Sequence, residues 1–64
     1  MADKDMREQI IESAKDIFSR FGFKKTTVDD IAHSIHKAKS SIYYYFGSKE
    51  EIFEEVIRRE YAYL

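Results

Sequence analysis

Two glycines and no proline punctuate the 64 residues, and each glycine closes a run whose apolar residues recur three and four apart. That spacing lines up one face of an α-helix, and no stretch alternates apolar and polar residues as a strand does. The chain is thereby confined to helices with breaks near Gly22 and Gly47. A first helix is expected from about Asp5, an N-cap with Glu8 three residues on, with Met6, Ile10, Ala14, Ile17, Phe18 and Phe21 as its apolar stripe. Gly22 then suits the left-handed position past a helix end, and Arg20 the final turn. A second helix begins after "KKTT", with Thr27 as N-cap, Asp29 and Asp30 in the first turn, and Val28, Ile31, Ala32 and Ile35 facing inward. After the short connection "HKA" a third helix is expected over Lys39–Phe46. Gly47 again offers a left-handed residue, and Ser48 to Glu51 reads as a Ser-x-x-Glu capping box. The fourth helix carries Ile52, Phe53, Val56, Ile57, Tyr61 and Leu64 on one side and has no stop signal before the last residue. The expected fold class is all-α: a small bundle of three helices and the start of a fourth.

The third helix is the unusual one, because "YYYF" places four aromatics side by side at residues 43–46. Adjacent helical residues point about 100° apart, so the four cannot share a face. With Ile42 at zero, Phe46 falls at about 40°, Tyr43 at about 100°, Tyr45 at about 300° and Tyr44 at about 200°. Ile42 and Phe46 define the buried direction. Tyr43 and Tyr45 flank it with wet hydroxyls, and Tyr44 and Ser40 point away with Ser41 beside them. Two short helices joined by a tight turn, the second with a small hydroxyl-rich face between lysines, match a DNA-binding helix-turn-helix. The same periodicity also suits a plain bundle in which Tyr43 and Tyr45 edge the core and Tyr44 is a single exposed tyrosine.

Charge sharpens the picture modestly. The net charge is −1 and the pI about 6.1, which on its own argues against a nucleic-acid partner. The distribution differs: residues 1–21 hold four basic and five acidic side chains, residues 22–49 five and two, and residues 50–64 two and five. A basic middle (Lys24, Lys25, Lys37, Lys39, Lys49) is hidden by a neutral average, and contacts to phosphate depend on the local field.

From "TTVDDIA", a turn, and "KSSIYYYFGSKEEIF", with an amphipathic helix ending "FSRFGF" before them, the chain resembles the N-terminal domain of TetR-family transcriptional regulators. The resemblance covers nearly the whole chain. It implies a three-helix DNA-binding domain containing a helix-turn-helix, plus the start of a fourth helix, which binds double-stranded DNA at a palindromic operator. The third helix would enter the major groove, most simply as part of a repressor. By position, Lys39, Ser40, Ser41 and Tyr44 fall at base- or backbone-contacting places, and Tyr43, Lys49 and Thr27 at phosphate-contacting places. The turn departs from the family's usual glycine, small aliphatic and serine: His36, Lys37 and Ala38 stand there. His36 must supply the backbone shape of glycine, Ala38 is a poor N-cap that costs about 1 kcal/mol relative to serine, and Lys37 adds a phosphate contact. The resemblance also implies that residues 1–64 are the DNA-binding part of a homodimeric protein whose effector-binding and dimerisation domain lies outside them. Alone, this part is expected to be a marginally stable monomer.

Other functions find less support in the residues. His33 and His36 could share a helix face, but no carboxylate or thiol sits at metal-ligand spacing with them. A tyrosine nucleophile calls for clustered arginines, whereas Arg7, Arg20, Arg58 and Arg59 lie on the first and last helices. Neither an enzyme, a cofactor nor a metal is expected. A protein-interaction module offering Tyr44 and the lysines to an acidic partner is the rival reading. There are no cysteines, no apolar run of membrane-spanning length and no hydrophobic signal core. The expectation is a cytoplasmic protein that does not engage membranes.

Overall fold

The computed structural model describes residues 2–60, with side chains from Met6 onward. It contains four helices: α1 (Ala2–Phe21), α2 (Val28–Ser34), α3 (Lys39–Tyr45) and α4 (Lys49–Glu60), and no strand among the described residues. α1 packs against both α2 and α4, and α2 carries α3. The all-α expectation holds.

α1 begins ahead of the expected Asp5, at Ala2. Nothing before Asp5 opposes a helix: alanine is the best helix former, and acidic residues are favoured near a helix N-terminus. At its other end Gly22 adopts φ 89°, as expected, and its N–H donates to the Phe18 carbonyl at 2.9 Å. Gly47, by contrast, is not left-handed, since His36 and Gly22 are the positive-φ residues among those described. The chain leaves α3 through an extended Phe46 (φ −134°, ψ 134°). The Ser48 hydroxyl accepts the Glu51 N–H at 3.2 Å, but the Glu51 carboxylate reaches back to the Gly47 N–H at 3.0 Å. One arm of the expected capping box therefore forms as read, and the other lands one residue earlier.

Each helix contributes one fully buried isoleucine: Ile10, Ile31, Ile42 and Ile52 all have no exposed surface. Around them lie Ile11, Ala14, Ile17, Phe18, Val28, Ala32, Phe46 and Val56. Ile11 was outside the expected stripe; it is buried because α1 has partners on two sides, so its apolar arc is wider than a single seam. Phe21 is the opposite case, 61% exposed. The turn at Gly22 brings Phe23 into the space instead, where its ring meets Phe53 at 4.8 Å and Phe18 at 5.6 Å between centroids. Thr26 is buried as well, and its hydroxyl donates to the Gly22 carbonyl at 2.8 Å, tying down the α1–α2 connection. On α4, Ile52 and Val56 are buried and Ile57 is exposed; Tyr61 and Leu64 of the expected stripe lie outside the described residues.

Charged pairs fasten α1 to α4 from outside the core. Arg59 holds Glu8 with both terminal guanidinium nitrogens, one at 2.7 Å, and Lys15 meets Glu60 at 2.8 Å. The hydrogen bond to Glu8 raises the Arg59 pKa, and that to Glu60 raises the pKa of Lys15. Arg7 bridges three elements: it lies 3.5 Å from Glu55 on α4, and its guanidinium sits 5.2 Å from the centre of the Phe46 ring that closes α3.

Candidate nucleic-acid interface

α2 starts where the sequence says it should. Thr27 is an extended N-cap (φ −116°, ψ 163°). Its hydroxyl accepts the Asp30 N–H at 3.1 Å, while its own N–H donates to the Asp30 carboxylate at 2.9 Å. This reciprocal box consumes backbone donors that an anion would otherwise use. What the exposed Thr27 can still offer an anion is its hydroxyl proton, because the Asp30 N–H uses only a lone pair of that oxygen.

α2 ends in a Schellman motif built on histidine. The Lys37 N–H donates to the Ala32 carbonyl at 2.9 Å and the His36 N–H to the His33 carbonyl at 3.1 Å, with His36 at φ 59°. The non-glycine residue thus supplies the glycine-like shape, at a conformational cost of about 1–2 kcal/mol. Ala38 follows as an N-cap without a side-chain hydrogen bond. The turn geometry is intact although two of its residues are poorly suited to it.

The turn sets α3 with Ile42 and Phe46 inward and Tyr44 outward, 79% exposed. Tyr43 is about half exposed (48%) and Tyr45 packs on the core from its edge. The Tyr44 and Tyr45 rings meet edge to face at 5.0 Å, which limits the directions that the outer ring can take. Ser40, Ser41 and Tyr44 line one hollow together with Met6 of α1 and Tyr45. Lys37 and Lys39 come together in a second cleft, beside Asp29, Asp30 and His33 at the foot of α2.

Lys49 is placed differently. Its ammonium donates to the Phe23 carbonyl at 2.8 Å and lies 4.2 Å from the centre of the Phe23 ring. The contact pins the start of α4 to the α1–α2 connection, leaving two of its three N–H groups for other acceptors. The same connection carries exposed Lys24 and Lys25 immediately before the Thr26–Thr27 pair. Sequence reasoning counted these two lysines as charge but did not place them at the site; their adjacency to Thr27 was the available signal. Among the described residues, no group of three or more His, Cys, Asp or Glu side chains is arranged to hold a metal ion.

The family model for bacterial regulatory proteins of the tetR family matches residues 10–56, from the first core isoleucine of α1 to the last buried valine of α4. The chain belongs to this family. Over 59 residues, 92% of the chain and 32% of the relative, this tetR-family domain is 42% identical to the biofilm operon icaADBC HTH-type negative transcriptional regulator IcaR of Staphylococcus aureus (strain Newman). It is 38% identical over 58 residues to the regulator of the same name in Staphylococcus epidermidis, covering 91% of the chain and 31% of that protein. The chain spans about a third of the length of these relatives. No solved structure matches it.

Proposed function

We propose that this tetR-family domain binds double-stranded DNA sequence-specifically, as the DNA-binding unit of a repressor acting in the cytoplasm. The observation that carries the reading is the attitude of α3. It is anchored by Ile42 and Phe46, and it presents Ser40 and the 79% exposed Tyr44 on the side away from the core. A short helix so held, second in a helix-turn-helix, fits the major groove with small side chains near base edges. Lys37, Lys39, Tyr43 and the Thr27 hydroxyl lie around it as phosphate or base partners, and Lys49 reaches phosphate with the donors that Phe23 leaves over. Both relatives are named as negative transcriptional regulators, which favours repression over activation. The domain works as one half of a homodimer on a palindromic operator, the two α3 helices about one helical turn of DNA apart.

Selection of binding sites from a random duplex pool tests this reading, followed by titration of the selected and scrambled duplexes. Tyr44→Ala and Ser40→Ala should each lower the ratio of selected-site to scrambled-site affinity, whereas Lys37→Ala should weaken both duplexes about equally. Unaltered discrimination in the Tyr44 and Ser40 variants would remove α3 from the groove.

A further inference from the structure

The two carboxylates in the first turn of α2 do different work. Asp30 is engaged within its own turn, accepting the Thr27 N–H at 2.9 Å. Asp29 takes no part in that cap. Its carboxylate oxygen lies 3.7 Å from the ammonium of Lys39, the first residue of α3. The pair therefore spans the helix-turn-helix from the start of one helix to the start of the next. Both side chains remain wet, 70% and 53% exposed, and both border the cleft that also holds Lys37 and His33.

A carboxylate at this place is unexpected on a surface meant for a polyanion. Duplex DNA carries one negative charge per about 1.7 Å of its axis, and attraction to it is largely blind to sequence. Each lysine free to reach a phosphate strengthens correct and incorrect complexes alike. A lysine already paired with a carboxylate contributes little to that background, yet can still donate to guanine O6 and N7 where the sequence presents them. We propose that Asp29 is a positioning residue for Lys39: it keeps the ammonium at the head of α3 and withholds it from phosphates, thereby setting how sharply the protein discriminates between DNA sequences. The inference rests on the DNA-binding reading above.

Asp29→Asn keeps the size of the side chain, and the Thr27–Asp30 cap stays in place to hold the turn. In titrations against a selected duplex and a scrambled duplex of equal composition, Asp29→Asn should raise affinity for the scrambled duplex about threefold to fivefold, the scale of one exposed ion pair. The plot of log affinity against log salt should steepen by about one phosphate contact, and the discrimination ratio should fall. Lys39→Met supplies the second half of the cycle, because in that background Asp29→Asn should leave both the salt slope and the ratio unchanged. If the gain in scrambled-site affinity persists without Lys39, Asp29 acts by direct repulsion of DNA and the proposal is overturned. An unchanged ratio and slope in the single Asp29→Asn variant, with its urea midpoint intact, overturns it equally. A parent protein that shows no preference between the two duplexes refutes the DNA-binding reading itself, a result distinct from either.

Discussion

Replacing Lys49 by methionine separates two roles that the sequence merges. The substitution keeps an unbranched apolar stem of similar length but deletes the ammonium that bonds the Phe23 carbonyl at 2.8 Å and sits 4.2 Å from the centre of its ring. A hydrogen bond to a charged donor contributes about 1.5–3 kcal/mol, and a cation over an aromatic face at a wet site adds about 0.5–1 kcal/mol. Against these stand the cost of fixing a lysine chain, about 1.5–2 kcal/mol, and continued access of water to the Phe23 carbonyl. The net expectation is a loss of about 1–2 kcal/mol, which for a domain of this size lowers the melting temperature by about 4–8 °C per kcal/mol. Urea unfolding followed by far-ultraviolet circular dichroism measures the loss directly, and the midpoint should fall without a change in slope. Lys49→Arg should restore part of it, since a guanidinium both donates and stacks. A methionine variant that unfolds within about 0.3 kcal/mol of the parent, well inside the ±0.5 kcal/mol typical of surface changes, would refute the clamp. Lys49 would then be a surface cation without a structural role in the domain. DNA affinities of the variant are to be compared where both proteins are fully folded, so that lost structure is not counted as lost contact.

Substitutions at two further positions probe the connections on either side of α2. His36→Gly relieves a left-handed non-glycine residue at φ 59°, worth about 1–2 kcal/mol, offset by about 0.5–1 kcal/mol of glycine chain entropy; the urea midpoint should rise, and His36→Val should lower it. Thr26→Val keeps the shape of a side chain that is 1% exposed but removes the donor to the Gly22 carbonyl. It should cost about 1 kcal/mol in urea unfolding, whereas Thr26→Ser should retain the hydrogen bond.

Much of this geometry could be read before any coordinates. Helix positions followed from apolar spacing, and the ends of α1 and α2 from Gly22 and Thr27, because those signals act within one turn of chain. The division of "YYYF" was legible for the same reason: within α3 a fixed angular step separates Ile42, inward, from Tyr44, outward, and Phe46 stays inward although it lies just past the helix end. Apart from the early start of α1 and the shifted arm of the Ser48 capping box, which are local, the failures involve residues distant in sequence. Phe23 rather than Phe21 enters the core because the Gly22 turn and Phe53 on α4 jointly define the space. Gly47 has no need of a left-handed conformation because Phe46 is held extended, with its ring against Arg7 of α1. Lys49 looked like a free cation, since its partner Phe23 lies 26 residues earlier. Nor could spacing alone pair Asp29 with Lys39; that requires the turn to fold α3 back across the start of α2.

Of the seven residues in α3, Ile42 alone is buried. A β-branched side chain in a helix has essentially one preferred rotamer, so this residue acts as a keyed pin that fixes rotation of the helix as well as its depth. On the proposed reading, the fold and the DNA address are consequently written in separate letters. Changes at Lys39, Ser40, Tyr43 or Tyr44 fall on exposed positions, where substitutions typically alter stability by no more than about 0.5 kcal/mol. On the proposed reading, a lineage built on this scaffold can drift from one operator to another through single exchanges on α3, without passing through an unfolded intermediate. Ile42 stands outside that freedom, since exchanging it turns every outward residue of the helix at once.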